Sequence, residues 1–139
     1  MRKTLYILSL LTLFVLAACT RNDGDIGSWF GTWHVESITA DGSPVTVDGD
    51  YFFQFQSSVF RLSHVGDHEQ SLESFGTWDD SAGGTMVIDF PDPEVFYIPM
   101  PGLETHNSFT VVGSSSRSAT FSKVDAAGVS YIYQLKKQP

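Results

Sequence analysis

Four histidines, two adjacent aspartates, one cysteine and scattered serines are the residues of this chain whose types could do chemistry. His64 and His68 flank an acidic stretch at a spacing that would turn two imidazoles to one side of a helix, as metal ligation requires. Their surroundings show no helical periodicity and read as a strand end and a loop, so the two rings diverge. His34 and His106 read as surface or rim residues. Asp79-Asp80 would serve carboxylate catalysis only if both acids faced one cleft. Neighbours along a strand point to opposite sides, and this pair leads into the turn Asp79–Gly84, so both read as solvated turn residues. No Gly-x-Ser-x-Gly nucleophile elbow occurs, and Gly113-Ser114-Ser115-Ser116 has the composition of a loop. These patterns predict no enzyme, no metal site and no cofactor.

Cys19 is set apart by its position. Arg2 and Lys3 precede an almost continuously apolar run over residues 4–18, and Leu16-Ala17-Ala18 leads into the cysteine. A basic start, a short apolar core and small residues before a cut describe a secretory signal peptide. The run is shorter than the roughly 20 residues that a membrane-spanning helix needs. Leu16-Ala17-Ala18-Cys19 resembles the lipobox of bacterial lipoproteins, in which the cysteine thiol is acylated and becomes the new N-terminus. The resemblance implies a signal peptide over 1–18, a lipidated N-terminus and tether over 19–27, and a folded domain over 28–139. Its partner is the lipid bilayer, reached through acylated Cys19. Thr20, where Asp would favour retention at the inner membrane, points to an outer-membrane lipoprotein of the cell envelope. With Cys19 as the one cysteine, the domain has no internal disulfide and rests on its core.

The chain carries 16 acidic against 8 basic side chains, a net charge of −8, and loses two of its bases with Arg2 and Lys3. Phosphate backbones repel such a surface, so nucleic acid is excluded as a partner.

The elements that must position these residues are strands. Phe30-Gly31-Thr32-Trp33 recurs letter for letter as Phe75-Gly76-Thr77-Trp78. Trp29, Gly31, Trp33 and Val35 share one face at period two, with His34 and Glu36 on the other. Tyr51, Phe53 and Phe55 alternate likewise, Ser57-Ser58 turns the chain, and Phe60 and Leu62 continue in a hairpin. Val45 and Val47 read as a short strand between two turns. Met86, Ile88 and Phe90 are in phase, as are Val129, Tyr131, Tyr133 and Leu135. Further runs cover 107–112 and 117–124. About eight short strands without an amphipathic helix predict an all-β, antiparallel, up-and-down barrel, whose closure removes exposed edges. A β-sandwich is the alternative. The repeated tetrapeptide reads as two strands with one local need: a glycine where backbones approach closely and a tryptophan plugging a barrel end.

Gly31-Thr32-Trp33 at the first strand resembles the Gly-x-Trp signature of lipocalins and related calycin barrels. With the lipobox, the short tether, Gly76-Thr77-Trp78 before the glycine turn Gly83-Gly84, and the basic-ended run Tyr131–Lys137, the order of features is similar to lipocalin-like lipoproteins of the Bacteroides group. The resemblance implies a non-enzymatic module for a small apolar or amphipathic ligand. In lipocalins an arginine on a late strand stacks over the first-strand tryptophan, and the stand-ins here are Arg117 and Lys123.

Eleven Phe, five Tyr and three Trp supply the core. An eight-stranded barrel is either filled by such side chains or left open for one small ligand. The candidates for a ligand cavity or barrel end are Trp33, Phe53, Phe55, Trp78, Phe96, Tyr97, Tyr131 and Tyr133. The proline-rich segment 91–101 either caps one end or borders the binding mouth. The competing reading is an interaction or structural lipoprotein with a packed barrel, which binds another envelope protein through its loops or outer face.

Overall fold

Beyond Trp29, which lies in a turn ahead of the first strand, period-two alternation becomes strands with one exception. The computed structural model describes residues 27–66, 71–92 and 99–139. The expected signal peptide, the tether up to residue 26, Cys19, His68, Phe96 and Tyr97 lie outside the described residues. In chain order the strands are β1 (Gly31–Ala40), β2 (Ser43–Pro44), β3 (Asp50–Gln56), β4 (Val59–Val65), β5 (Ser71–Asp79), β6 (Thr85–Asp89), β7 (His106–Ser114), β8 (Ser118–Val124) and β9 (Ser130–Lys137). The exception is Val45–Val47. β2 is a two-residue flap on the end of β1, and both valines follow it as half-buried loop residues. Val45 keeps one backbone bond to β1, its N–H donating to the Ile38 carbonyl at 2.9 Å, and the chain then leaves for the turn at Asp48-Gly49.

Each long strand pairs antiparallel with the next, and β1 pairs with β9, so eight strands close into a barrel. The sandwich alternative falls with that closure. Bulges adjust two walls. In β1, Val35 faces Leu135 but Ser37 faces Gln134, leaving Glu36 as the extra residue. The inward phase therefore switches from Trp33 and Val35 to Ile38. In β7 the extra residue is Val112, which the bulge turns out to solvent.

The predicted inward faces are core: Tyr51, Phe53, Phe55, Phe60, Leu62, Met86, Ile88, Phe90, Tyr133 and Leu135 are all buried, and Phe109 on β7 and Phe121 on β8, whose faces the sequence left unassigned, join them. Full burial of each large side chain contributes about 1.5–3 kcal/mol. Opposite walls touch at mid-height. The ring of Phe53 on β3 lies 6.5 Å from that of Phe109 on β7 and 6.4 Å from that of Phe121 on β8. The middle of the barrel is packed.

The two tetrapeptides take the same orientation, with Phe30 and Phe75 outward and Trp33 and Trp78 inward. Their glycines meet different needs, which corrects the single need expected of both. A Cβ on Gly76 would stand 2.1 Å from the Asp89 carbonyl oxygen, so β5 and β6 require its absence. At Gly31 the backbone has φ +123° and the nearest obstacle is the flexible end of Lys137.

Candidate functional site

The barrel has two unlike ends. At the end where β1 begins, residues 27–29 form a turn that folds the Trp29 indole back over the barrel mouth. That ring packs against Trp33 at 5.4 Å, Phe55 at 5.8 Å and Phe121 at 5.4 Å. The Trp33 indole N–H donates to the Trp29 carbonyl at 2.9 Å, which fixes the turn. Trp78 stands edge-on to Phe55 at 5.3 Å and remains half-buried. All three tryptophans of the chain therefore gather at this end. Between Trp29 and Trp78 is a half-open hollow of about 400 Å³, bordered by Ser57, Ser58, Asp79 and Asp80. The Asp79 carboxylate accepts from the Ser81 backbone N–H at 2.9 Å, and that bond holds its carboxyl below the usual carboxylate range. Asp79, expected in the turn, is instead the last residue of β5, paired with Val87; it is exposed, and it also borders the hollow.

The cation over Trp33 is Lys137, with its Nζ 5.7 Å from the ring centroid. Neither expected stand-in takes that place. Arg117 sits in the exposed β7–β8 turn, and Lys123 is buried near the opposite end, 5.9 Å from the Phe109 centroid. The reason is register. The final strand brings Lys137 opposite Trp33 itself. Lys137 Nζ also donates to the Ser28 carbonyl at 3.2 Å, tying the entry turn to the last strand.

The opposite end is sealed. Met100 is buried, and the Tyr133 and Tyr51 phenols donate to the carbonyls of Pro101 at 2.6 Å and Pro99 at 3.5 Å. Gly102, at φ +79°, rests on the Tyr131 and Tyr133 rings, where a Cβ would collide with both. Lys123 Nζ reaches under the same turn, donating to the Gly102 carbonyl at 2.5 Å, Glu104 at 3.0 Å and Asn107 Oδ1 at 2.9 Å. Burial, with help from neighbouring acidic groups, pushes the Tyr133 phenol well above its ordinary range, and burial raises Tyr51 too. Both phenols are hydrogen-bond donors at every physiological pH. Residues 99–104 cap this end.

The three described histidines do not converge. His34 bonds Asp50 at 2.9 Å and lies 3.3 Å from Glu36. His64 bonds the Asp48 carbonyl at 2.5 Å and stacks on Tyr51, and His106 pairs with Asp89. Among the described residues no three His, Cys, Asp or Glu side chains group as metal ligands. Of the sequence candidates, Trp33, Phe53, Phe55 and Tyr133 are core, Trp78 borders the hollow, and Tyr131 lies beneath the cap.

No protein-family model and no curated protein matches the chain. Solved structures do. A lipocalin-like protein from Bacteroides uniformis superposes with a TM-score of 0.63 at 21% identity, over 81% of this chain and 100% of that one. The fold is a lipocalin-like barrel. An uncharacterised protein from Bacteroides eggerthii follows at 0.58 and 16% identity, over 79% of this chain and 99% of that one. A redesigned β-barrel scores 0.50 at 16% identity, over 81% and 93%. At these identities the likeness is one of fold, and site chemistry must come from this lipocalin-like barrel's own side chains.

Sequence reasoning missed Trp29 as the plug. Its signal was present, since Trp29 shares the phase of Trp33, but a strand reading placed it beside the mouth and not across it.

Proposed function

We propose that the chain is a membrane-anchored lipoprotein whose lipocalin-like barrel is a non-enzymatic binding module for a small amphipathic ligand. The observation that carries this reading is the half-open hollow between Trp29 and Trp78. Two indoles offer a flat apolar surface, Ser57 and Ser58 offer hydroxyls, and Asp79 and Asp80 offer negative charge. That set suits an apolar body bearing a cationic or hydroxylated head. Residues 99–104 cap the proline-rich end, one of the two roles expected of segment 91–101, and that supports a site at the tryptophan end.

All three tryptophans lie there, so intrinsic fluorescence reads the site directly. Titration with dodecylamine should give a saturable change that Trp78→Ala abolishes and Asp79→Asn weakens. Dodecanoate, repelled by the two aspartates, should bind less well. No saturable change with either probe, and no small molecule retained in mass spectrometry of natively purified protein, would refute ligand binding. Anchoring has its own test. Cys19→Ser should remove acyl labelling and release the protein to the soluble fraction, and a mutant that stays membrane-bound contradicts lipidation.

A second reading has support from the packed mid-barrel, where Phe53 meets Phe109 and Phe121. A filled barrel with no ligand would act through its outer face on another envelope protein. Stoichiometric copurification of a partner from solubilised membranes, with both amphiphiles inert, would favour it.

A further inference from the structure

Charge is distributed unevenly along the barrel axis. Asp41, Asp48, Asp50, Asp89, Asp92 and Asp125 all lie at or beside the capped end, at the ends of β1, β6 and β8 and the start of β3. The exposed bases Arg117 and Lys136, with the half-buried Lys137, gather at the other. Arg117 is in the β7–β8 turn, Lys136 lies opposite Ser118, and the Lys137 N–H donates to the Arg117 carbonyl at 2.8 Å. Ser116, Arg117, Lys137, Gln138 and Pro139 border a half-open hollow of about 400 Å³. The turn is held by Ser115 Oγ, which accepts from the N–H groups of Arg117 at 3.4 Å and Ser118 at 3.1 Å. Among the described residues the ion pairs involve His34, Arg61, His106 and Lys123, and none involves Arg117, Lys136 or Lys137. Phe30 stands at the same end, 46% exposed, next to the glycine that Lys137 touches.

Gly27, where the described chain begins, is at this end as well. It is eight residue steps from Cys19, a reach of at most about 28 Å at roughly 3.5 Å per residue. We infer that the tryptophan end is the bilayer-facing end of the barrel, and that Arg117, Lys136 and Lys137 dock it on anionic lipid headgroups while Phe30 enters the interface. The inference rests on the lipoprotein reading above. Guanidinium and ammonium groups recognise headgroup phosphate, and an aromatic ring settles at headgroup level. Charges farther than the Debye length, about 8 Å in physiological salt, are largely screened. The acids of the far end therefore do not oppose docking. Asp79 and Asp80 do act locally, on the other side of the same end, so the barrel should tilt toward the β7–β9 side.

The test reconstitutes the acylated protein in phosphatidylcholine vesicles with or without phosphatidylglycerol, carrying a headgroup-attached quencher lipid. Because every tryptophan is at one end, quenching reports the approach of that end. Quenching should be strong with the anionic lipid, weak without it, and reversed by high salt. Each basic residue contributes about a fivefold preference near an anionic surface, so Arg117→Gln with Lys136→Gln should lower the docked-to-undocked ratio roughly 25-fold. Arg61→Gln, on the barrel wall and paired with Glu73 at 3.4 Å, should change nothing. Equal quenching in neutral vesicles, an unaffected double variant, or an equal loss in Arg61→Gln would overturn the inference. So would inorganic phosphate perturbing Ser116 and Arg117 resonances in protein that shows no quenching on anionic vesicles, which would mark a free-anion site. If Cys19 proves unacylated, the lipoprotein reading fails separately. Coupling its thiol to a maleimide lipid then supplies the same tether, and the docking measurement stands unchanged.

Discussion

Gly76→Ala tests the packing logic of the barrel at its tightest seam. The added Cβ would lie 2.1 Å from the Asp89 carbonyl oxygen, 3.0 Å from its carbonyl carbon and 3.2 Å from Phe90 Cδ1. Two of these three atoms are backbone, so no rotamer change relieves the overlap. β5 and β6 must part by about an ångström, and their ladder has three paired positions to absorb it: Thr77 with Asp89, Trp78 with Ile88 and Asp79 with Val87. Overpacking costs about 1–3 kcal/mol, and weakening one ladder bond adds about 1 kcal/mol. A loss near 3 kcal/mol follows. Gly113→Ala is the matched comparison. It too lies in a strand, but its Cβ would meet nothing within 4 Å, and the backbone does not hold it at positive φ. That substitution should be neutral, or stabilising by up to about 1 kcal/mol through the unfolded chain. Urea unfolding of the two variants should separate them by about 1.5–2 M in midpoint at an m-value typical of this size. Midpoints that agree within about 0.3 M would show that the two strands do not need the glycine.

Trp33→Ala removes a fully buried indole and should destabilise by roughly 3–5 kcal/mol, whereas Trp78→Ala, at the half-buried rim, should cost about half as much; equal losses in thermal unfolding would contradict that division of roles. Tyr133→Phe deletes the donor to the Pro101 carbonyl and should cost about 1–2 kcal/mol, with faster hydrogen exchange at the Leu103 amide, which bonds Met100 within the cap. Unchanged exchange there would mean that the phenol does not hold the cap. For His34, burial lowers the pKa, but the hydrogen bonds and charges of Asp50 and Glu36 outweigh it and leave the value above 6.5. Its protonated form thus adds stability that is complete below pH 6.5 and is lost as pH rises through the raised folded value. His34→Gln should flatten stability over that window, and an unaltered pH profile would refute the coupling.

Alternation made the fold legible because one face of each strand is wet and the other buried, so period two survives in the residue types. Phe53, Phe60, Ile88 and Tyr133 could be placed in phase from the sequence for that reason. Bulges have no such signature, since an extra residue such as Glu36 resets the phase and leaves no mark in composition. Val45 and Val47 alternate like a strand, but beyond the one bond from the Val45 N–H to the Ile38 carbonyl the turn at Asp48-Gly49 cuts the segment off before a ladder can form. The cation over Trp33 was harder still. It depends on the β1–β9 register, which joins residues more than a hundred positions apart, and local pattern does not encode so distant a pairing.

The packed middle and the unlike ends bear on function together. Rings from opposite walls touch at Phe53, so a deep central ligand would have to displace aromatic contacts worth about 0.5–1.5 kcal/mol each beyond their buried area. A ligand at the tryptophan rim meets no such cost, since its indoles are already half-exposed and its hollow is open. Sealing the far end with Met100, two phenols and a buried lysine leaves the open end next to the point where the chain enters the barrel. In a lipid-tethered protein that is the end nearest the bilayer, so an amphipathic ligand would pass between membrane and hollow without crossing bulk water. Moving the anchor should therefore impair exchange more than equilibrium affinity. Lengthening the segment before Gly27 with a flexible Gly/Ser linker of about 20 residues should slow transfer of dodecylamine from vesicles while leaving its affinity in detergent-free solution unchanged. An equal transfer rate would place ligand entry from solvent instead.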